Sequence, residues 1–396
     1  MPSPKVVRSA SRQIHQDAVI RALRLQGASS RRDLQEATGL SRSTISSIVN
    51  ELMAAGEVER CSAARTGRGR PVELVRAVED AQRSWLGIEF SHGRVHVVLV
   101  QGENLVRAQA WHSYTGQTTW SQRFAIASQL LAREVPADVA VSGVGIGFPS
   151  SAVMRGEDLI ARGQEGALEL IREVAAEVGQ RYHAAVSVDN NARLAGLAEM
   201  LWESESQPEN QVYARVSDGI GAALVCNGQP VTGESGFGGE IGHLTVKADG
   251  ARCRCGKRGC LETVASASAI IRRCRQGGVE VAGIEDVAQA YHQGRRVAVE
   301  AVTEAGQALG KVLGRVCVLI DPARIVLAGT VVSALPHLVD VVRDQVGLEL
   351  LPVNQVVPLT VHARLGEDAG ALGAALMAMS AARLRYPILI PDRSVS

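Results

Sequence analysis

The chain has 396 residues, 46% of them hydrophobic, with 42 basic and 41 acidic side chains and a formal net charge of +1. That length accommodates two or three domains with packed cores, and no run of eighteen apolar residues is present to span a membrane. The amino terminus, MPSPKVVRSASRQ, lacks the apolar stretch of a signal peptide, and four of the seven cysteines (Cys61, Cys226, Cys274, Cys317) are scattered rather than framed as disulfide partners, so the protein is expected in the cytoplasm.

The near-neutral total conceals an asymmetry. The first 76 residues carry 13 basic and 7 acidic side chains, and the rest carry 29 and 34. A basic head on an acidic body points to a polyanionic partner, although surface bias alone also produces such a split. The head reads as three helices. The first runs over 13–26, with Ile14, Ala18, Leu23 and Leu25 on its apolar side. Ser30 caps a second over 31–37, Thr38-Gly39-Leu40 makes a tight turn, and Ser41 caps a third that ends near Ala55-Gly56. Ile45, Ile48, Val49 and Leu52 give the third helix a buried face. Its other face offers Arg42, Ser43, Thr44, Ser46, Ser47 and Asn50, short side chains that reach phosphates and base edges in a major groove. A plain three-helix packing module is the alternative.

Two short strands, 58–60 and 72–75, flank a loop containing Thr-Gly-Arg-Gly-Arg-Pro at 66–71. This is the pattern of a winged helix-turn-helix, and Arg68 and Arg70 at the wing tip suit a narrow minor groove. The body opens with a three-stranded meander at 85–90, 94–101 and 105–112, then a helix over 120–134 and a strand over 139–146. The same order recurs after Asn191, with strands near 211–216, 220–226 and 230–232, later helices, and a strand at 324–328. Two duplicated α/β lobes with a cleft between them fit this recurrence.

Within the second lobe, His243, Cys253, Cys255 and Cys260 lie in eighteen residues interleaved with Gly250, Gly256 and Gly259. Imidazole and thiolates at this spacing suit tetrahedral zinc, and four protein ligands leave no open position for catalysis. The expectation is a structural zinc site; free thiols are the alternative.

Here the residues resemble a known family. Gly239-Glu240-Ile241-Gly242-His243, followed by Cys253-Arg254-Cys255-Gly256-Lys257-Arg258-Gly259-Cys260-Leu261-Glu262, resembles the motif of the ROK family (repressors, open reading frames and sugar kinases). The resemblance runs over the winged head, the Val188-Asp189-Asn190-Asn191-Ala192 segment and the glycine-alanine stretch at 365–375. It implies an actin-like, ribonuclease-H-like ATPase fold. The expected domains are a winged helix-turn-helix at 1–80, a first lobe at 81–190 with a C-terminal helix at 366–385 packing back onto it, and a second lobe with the zinc motif at 191–365. Family members with a winged head are transcription regulators whose body senses a sugar; those without it phosphorylate sugars.

The chemistry of three positions separates the branches. The family's kinases carry Asp-x-Gly-Gly-Thr where this chain has Glu89-Phe90-Ser91-His92-Gly93, and Gly-Thr-Gly where it has Ser217-Asp218-Gly219. Their catalytic base is the Asp of an Asn-Asp pair, and this chain has Asn190-Asn191. An amide cannot take a proton from a sugar hydroxyl. No enzyme is expected. By resemblance an effector would meet Asn190, Asn191, Glu240, His243 and Glu262, with zinc fixing the His243 ring. Glu240 and Glu262 alternatively hold loops by accepting backbone N–H bonds. The family's Asn-Leu-x-Gly-Trp segment is absent; the region reads Leu159-Ile160-Ala161-Arg162-Gly163. The chain is therefore expected to be a homodimeric or homotetrameric repressor of carbohydrate genes, with operator DNA and a sugar or amino sugar as partners. A sugar kinase that also binds DNA, or a regulator whose body only oligomerises, are the competing readings.

Overall fold

Ser30 starts the first fully described helix by a reciprocal pair of bonds: its hydroxyl accepts from the Asp33 N–H at 3.2 Å, and its own N–H donates to the Asp33 carboxylate at 2.8 Å. This capping box fixes helix Arg31–Thr38, and Gly39 ends it at φ 68°, a left-handed conformation that glycine adopts without strain. The computed structural model describes residues 12, 15–16, 18–20, 22–23, 28–54, 57–62, 73–78, 83–91, 93–102, 105–115, 117–136, 139–149, 151–155, 158–162, 167–201, 209–352 and 356–384. Helix Arg42–Ala54 follows, with Ser41 accepting from the Thr44 N–H at 3.2 Å. Strands β1 (Ser29–Ser30), β2 (Val58–Ser62) and β3 (Glu73–Ala77) form a small sheet in the order β1-β3-β2. Leu34, Ile45, Ile48, Val49, Leu52, Val58 and Val75 make its core, all at most 4% exposed. Helix, turn, helix and a two-stranded wing base are therefore in place. The wing tip, including Arg68 and Arg70, lies outside the described residues.

The chain divides into two units, one ending at Gln82 and one beginning at Arg83. The second unit holds two sheets. The first contains β4 (Ser84–Phe90), β5 (Arg94–Gln101), β6 (Leu105–Ser113), β7 (Val141–Phe148), β8 (Ser151–Arg155), β9 (Asp158–Arg162) and β10 (Val186–Asn190), ordered β6-β5-β4-β7-β10-β8-β9. The second contains β11 (Gln211–Val216), β12 (Ile220–Cys226), β13 (Gln229–Pro230), β14 (Arg324–Ala328) and β15 (Leu359–His362), ordered β13-β12-β11-β14-β15. In each, an antiparallel meander is extended by two parallel strands, so β6-β5-β4-β7-β10 repeats as β13-β12-β11-β14-β15. This is the duplicated actin-like architecture.

Two helices of small residues join the sheets. Helix Ala369–Leu384 lies against β4 and β7, where Gly87 and Gly145 are register partners. A Cβ at Gly87 would fall 2.0 Å from the Ala371 carbonyl oxygen, and one at Gly145 1.8 Å from that of Ala374. Helix Asn191–Leu201 packs on β11 and β12, where a Cβ at Gly196 would meet that of Ala223 at 2.3 Å. Backbone-to-backbone approach of this kind requires glycine. In the outer layer, Gly306, Gly310 and Gly314 of helix Arg296–Ile320 face helix Leu338–Glu349; a Cβ at each would lie 2.7 Å from Val341, 2.6 Å from Gln345 and 2.5 Å from Glu349. Among the described residues, no helix is long and apolar enough to cross a membrane.

Candidate functional site

Three places carry chemistry, and the residues expected from the sequence fall into each. In the head, Arg42, Ser43 and Asn50 are exposed on helix Arg42–Ala54, and Thr44 and Ser46 are half-buried beside them. Ser43 and Thr44 share hydrogen bonds with the Ser41 hydroxyl at 3.0 and 2.8 Å. Asn50 accepts from Arg31 at 3.2 Å, and Arg31 also pairs with Glu73 at 3.0 Å. Arg31 thus ties the helix to the wing base, a contact with no local signal in the sequence.

In the second lobe, the side-chain donor atoms of His243, Cys253, Cys255 and Cys260 lie within 4.8 Å of one another. A tetrahedron with metal–sulfur bonds of about 2.3 Å has sulfur–sulfur edges of about 3.8 Å. Here Cys255 and Cys260 Sγ are 3.6 Å apart, and Cys253 Sγ is 3.6 Å from His243 Nδ1. Burial, with hydrogen bonding to the neighbouring thiols, pushes the Cys260 thiol up to about 12. The donor set, one imidazole and three thiols, suits a four-coordinate metal. The loop is shaped for it by Gly256 and Gly259, at φ 91° and 63°. At Gly259 a Cβ would lie 1.5 Å from the Lys247 carbonyl oxygen.

Between the two sheets is a cavity of about 850 Å³. Asn190, Asn191, Glu240 and His243 line it, and Glu262 does not. Asn190 sits at the start of helix Asn191–Leu201, its Oδ1 accepting from the Ala192 and Arg193 N–H groups at 2.8 and 3.3 Å. Asn191 donates through Nδ2 to the Phe90 carbonyl at 3.5 Å. His243 presents Nδ1 to the thiol cluster and Nε2 toward Glu240, 4.0 Å from its Oε2. The Glu262 carboxylate is occupied: Arg254 donates at 2.8 and 3.0 Å, and the Ile220 N–H at 3.2 Å.

Two arginines unforeseen in the sequence organise the cavity wall. Arg193, 2% exposed, donates to Asp189 at 2.8 Å and to the carbonyls of Gly236 and Gly238 at 2.9 and 3.3 Å, so it anchors the glycine loop that leads to Glu240. Arg215 on β11 donates to Glu89 on β4 at 2.8 Å, a bond between the two sheets whose acid is fully buried. The Arg193–Gly236 and Arg215–Glu89 contacts join residues remote in sequence, which is why no motif announced them.

A winged DNA-binding head joined to a two-lobed actin-like body with a four-donor cysteine-histidine cluster defines a DNA-binding transcription regulator. The ROK family model matches residues 86–381, and a MarR family model matches residues 16–69 of the head. The chain belongs to the ROK family. It is 24% identical to the xylose repressor of Bacillus spizizenii over 366 residues, 91% of this chain and 94% of that one. It is 26% identical to the N-acetylglucosamine repressor of Escherichia coli O157:H7 over 341 residues, 82% of each. Among solved structures, a ROK family transcriptional regulator described as a homologue of the E. coli MLC protein superposes with a TM-score of 0.74 at 25% identity, covering 94% of this chain and 97% of that one.

Proposed function

We propose that the protein is a sugar-responsive repressor of carbohydrate genes that binds its operator as a homodimer or homotetramer and releases it when a sugar or amino sugar enters the cleft. The observation that carries this reading is the pairing of an exposed Arg42-Ser43-Asn50 face in the head with a polar cavity between the lobes. Arg42, Ser43, Thr44, Ser46 and Asn50 read the major groove, and Arg68 and Arg70 reach the minor groove. Sequencing the DNA that co-purifies with the protein identifies the operator. On that operator, Asn50→Ala is expected to change base preference, and the Arg68→Ala/Arg70→Ala pair to weaken binding by roughly 1–3 kcal/mol per residue. Unchanged binding of both variants at moderate salt would refute the assignment.

In the cleft, Asn190, Asn191, Glu240 and His243 are assigned to the effector, and the clasped Glu262 to holding the loop against Ile220. Zinc is the metal proposed for His243, Cys253, Cys255 and Cys260; when bound it supplies a fixed charge and a cross-link. With Nδ1 turned to the cluster, the His243 ring is held so that Nε2 faces Glu240 and the cavity. Glu240→Gln keeps shape but exchanges a charge-assisted hydrogen bond for a neutral one, about 1 kcal/mol or more. The variant is expected to fold, retain zinc and bind operator, yet need at least fivefold more sugar for release in a gel-shift titration. Loss of fold along with response would make Glu240 structural. A kinase is the competing reading; Asn191, Asp218 and the Glu89–Arg215 pair at the phosphate positions of the kinase motifs speak against it. Transfer of labelled phosphate from ATP to any of a sugar panel would restore it.

A further inference from the structure

We propose that the end of the cleft formed by Arg94 and Arg215 is an oxyanion subsite, and that the effector is a sugar carrying a phosphate ester or a carboxylate whose charge displaces Glu367. This deepens the reading above and rests on its claim that the cleft takes a sugar.

The two arginines line the same cavity as Glu240 and His243, and both are only 16% exposed in their side chains. They are neutralised unequally. Glu89, fully buried, holds Arg215 Nη1 at 2.8 Å and cannot leave without abandoning a charge in the core. Among the described residues, the acid facing the second positive charge is Glu367, whose carboxylate Arg215 Nη2 meets at 3.2 Å and Arg94 Nη2 at 3.7 Å, while Arg94 Nη2 also donates to the Glu367 backbone carbonyl. The Glu367 side chain is 43% exposed, on the short turn Gly366–Asp368. An ion pair that wet is worth little, and its carboxylate is readily rehydrated on release.

Glu367 therefore stands where an anion is wanted. Its carboxylate already accepts from the Arg215 guanidinium and lies beside that of Arg94, and planar forks of this kind suit phosphate and carboxylate oxygens. Arg94 Nε is buried with no hydrogen-bond partner, so this end has donor capacity that Glu367 does not meet. A cavity of about 850 Å³ has room for a hexose at Glu240 and His243 together with its charged substituent. The exposed Asp218 on the same wall disfavours a larger polyanion such as a nucleotide triphosphate. Exchange at Glu367 would be felt at once by helix Ala369–Leu384, which begins one residue beyond its turn.

The test is isothermal titration of the full-length protein at low ionic strength with inorganic phosphate, ATP, and a hexose and hexosamine panel in neutral, 6-phosphate and uronate forms. At least one charged sugar is expected to bind tenfold or more tightly than its neutral parent, and ATP no better than inorganic phosphate. Arg94→Gln is expected to abolish that preference, Arg94→Lys to retain part of it, and Glu367→Gln to strengthen phosphate binding several-fold. Binding of inorganic phosphate lost in Arg94→Gln, with no sugar bound, would leave the subsite standing and sink the sugar reading. Neutral sugars binding as well as charged ones, a preference indifferent to Arg94→Gln, or no anion binding at all would overturn the subsite.

Discussion

Replacing Cys255 with serine is expected to release the metal and destabilise the whole second lobe. The segment from His243 to Glu262 has little regular structure of its own: one turn at Ile241–His243 and two isolated bridges, Thr245 with Cys260 and Arg252 with Arg258. In such a loop a bound metal would supply most of the folding energy, since structural zinc contributes on the order of 10–16 kcal/mol in small domains. Cys255 is the exposed member of the four, so its serine variant removes a ligand without opening a core cavity. Metal analysis is expected to find close to one zinc per wild-type chain and almost none in the variant, with a lowered unfolding temperature. A chelator is expected to move the wild type to the same point and the variant no further. Zinc-free wild-type protein of full stability would defeat the assignment.

Arg193→Met is expected to cost about 3–5 kcal/mol, because it strands the Asp189 carboxylate, 1% exposed, in the core. The carbonyls of Gly236 and Gly238 lose their donor in the same step. The loop before Glu240 would then be cut by protease well before the lobes unfold. Adding Asp189→Asn is expected to recover part of the stability, since the uncompensated charge is gone, but none of the loop protection. Recovery of both would mean that the loop is held by something other than Arg193.

Local chemistry made much of this structure legible in advance. Ser30 with Asp33, the Gly39 turn and the buried stripe of Ile45, Ile48, Val49 and Leu52 place the second and third head helices within a residue or two, while the bounds expected for the first, 13–26, lie outside the described residues. The meander at 84–113, helix Trp120–Glu134 and strand Arg324–Ala328 came out as their periodicity and turns implied. The strand expected at 139–146 is Val141–Phe148: the Val139 N–H closes a turn onto the Pro136 carbonyl at 3.1 Å, and Ala140 is exposed. Strand Val186–Asn190 overlaps the Val188–Ala192 motif and, at five residues, is too short for a periodicity to stand out; the hairpin of Ser151–Arg155 with Asp158–Arg162 likewise has only five residues in each strand. At the site, the cysteines and His243 were legible because their spacing is short. The family resemblance puts Glu262 with Glu240 at an effector, and spacing does not reveal that Arg254 folds back onto Glu262. Arg215 and Glu89 are 126 residues apart, and only the packed sheets bring them together.

The glycine row on helix Arg296–Ile320 sets how the second lobe can move. With Gly306, Gly310 and Gly314 against Val341, Gln345 and Glu349, the two helices touch almost at their backbones. Sliding by one residue would drive a side chain into the space a glycine leaves, so the pair resists shear and behaves as a splint. Any motion that carries a signal out of the cleft must therefore turn this layer as a solid piece, and the compliance has to reside in the loops around it.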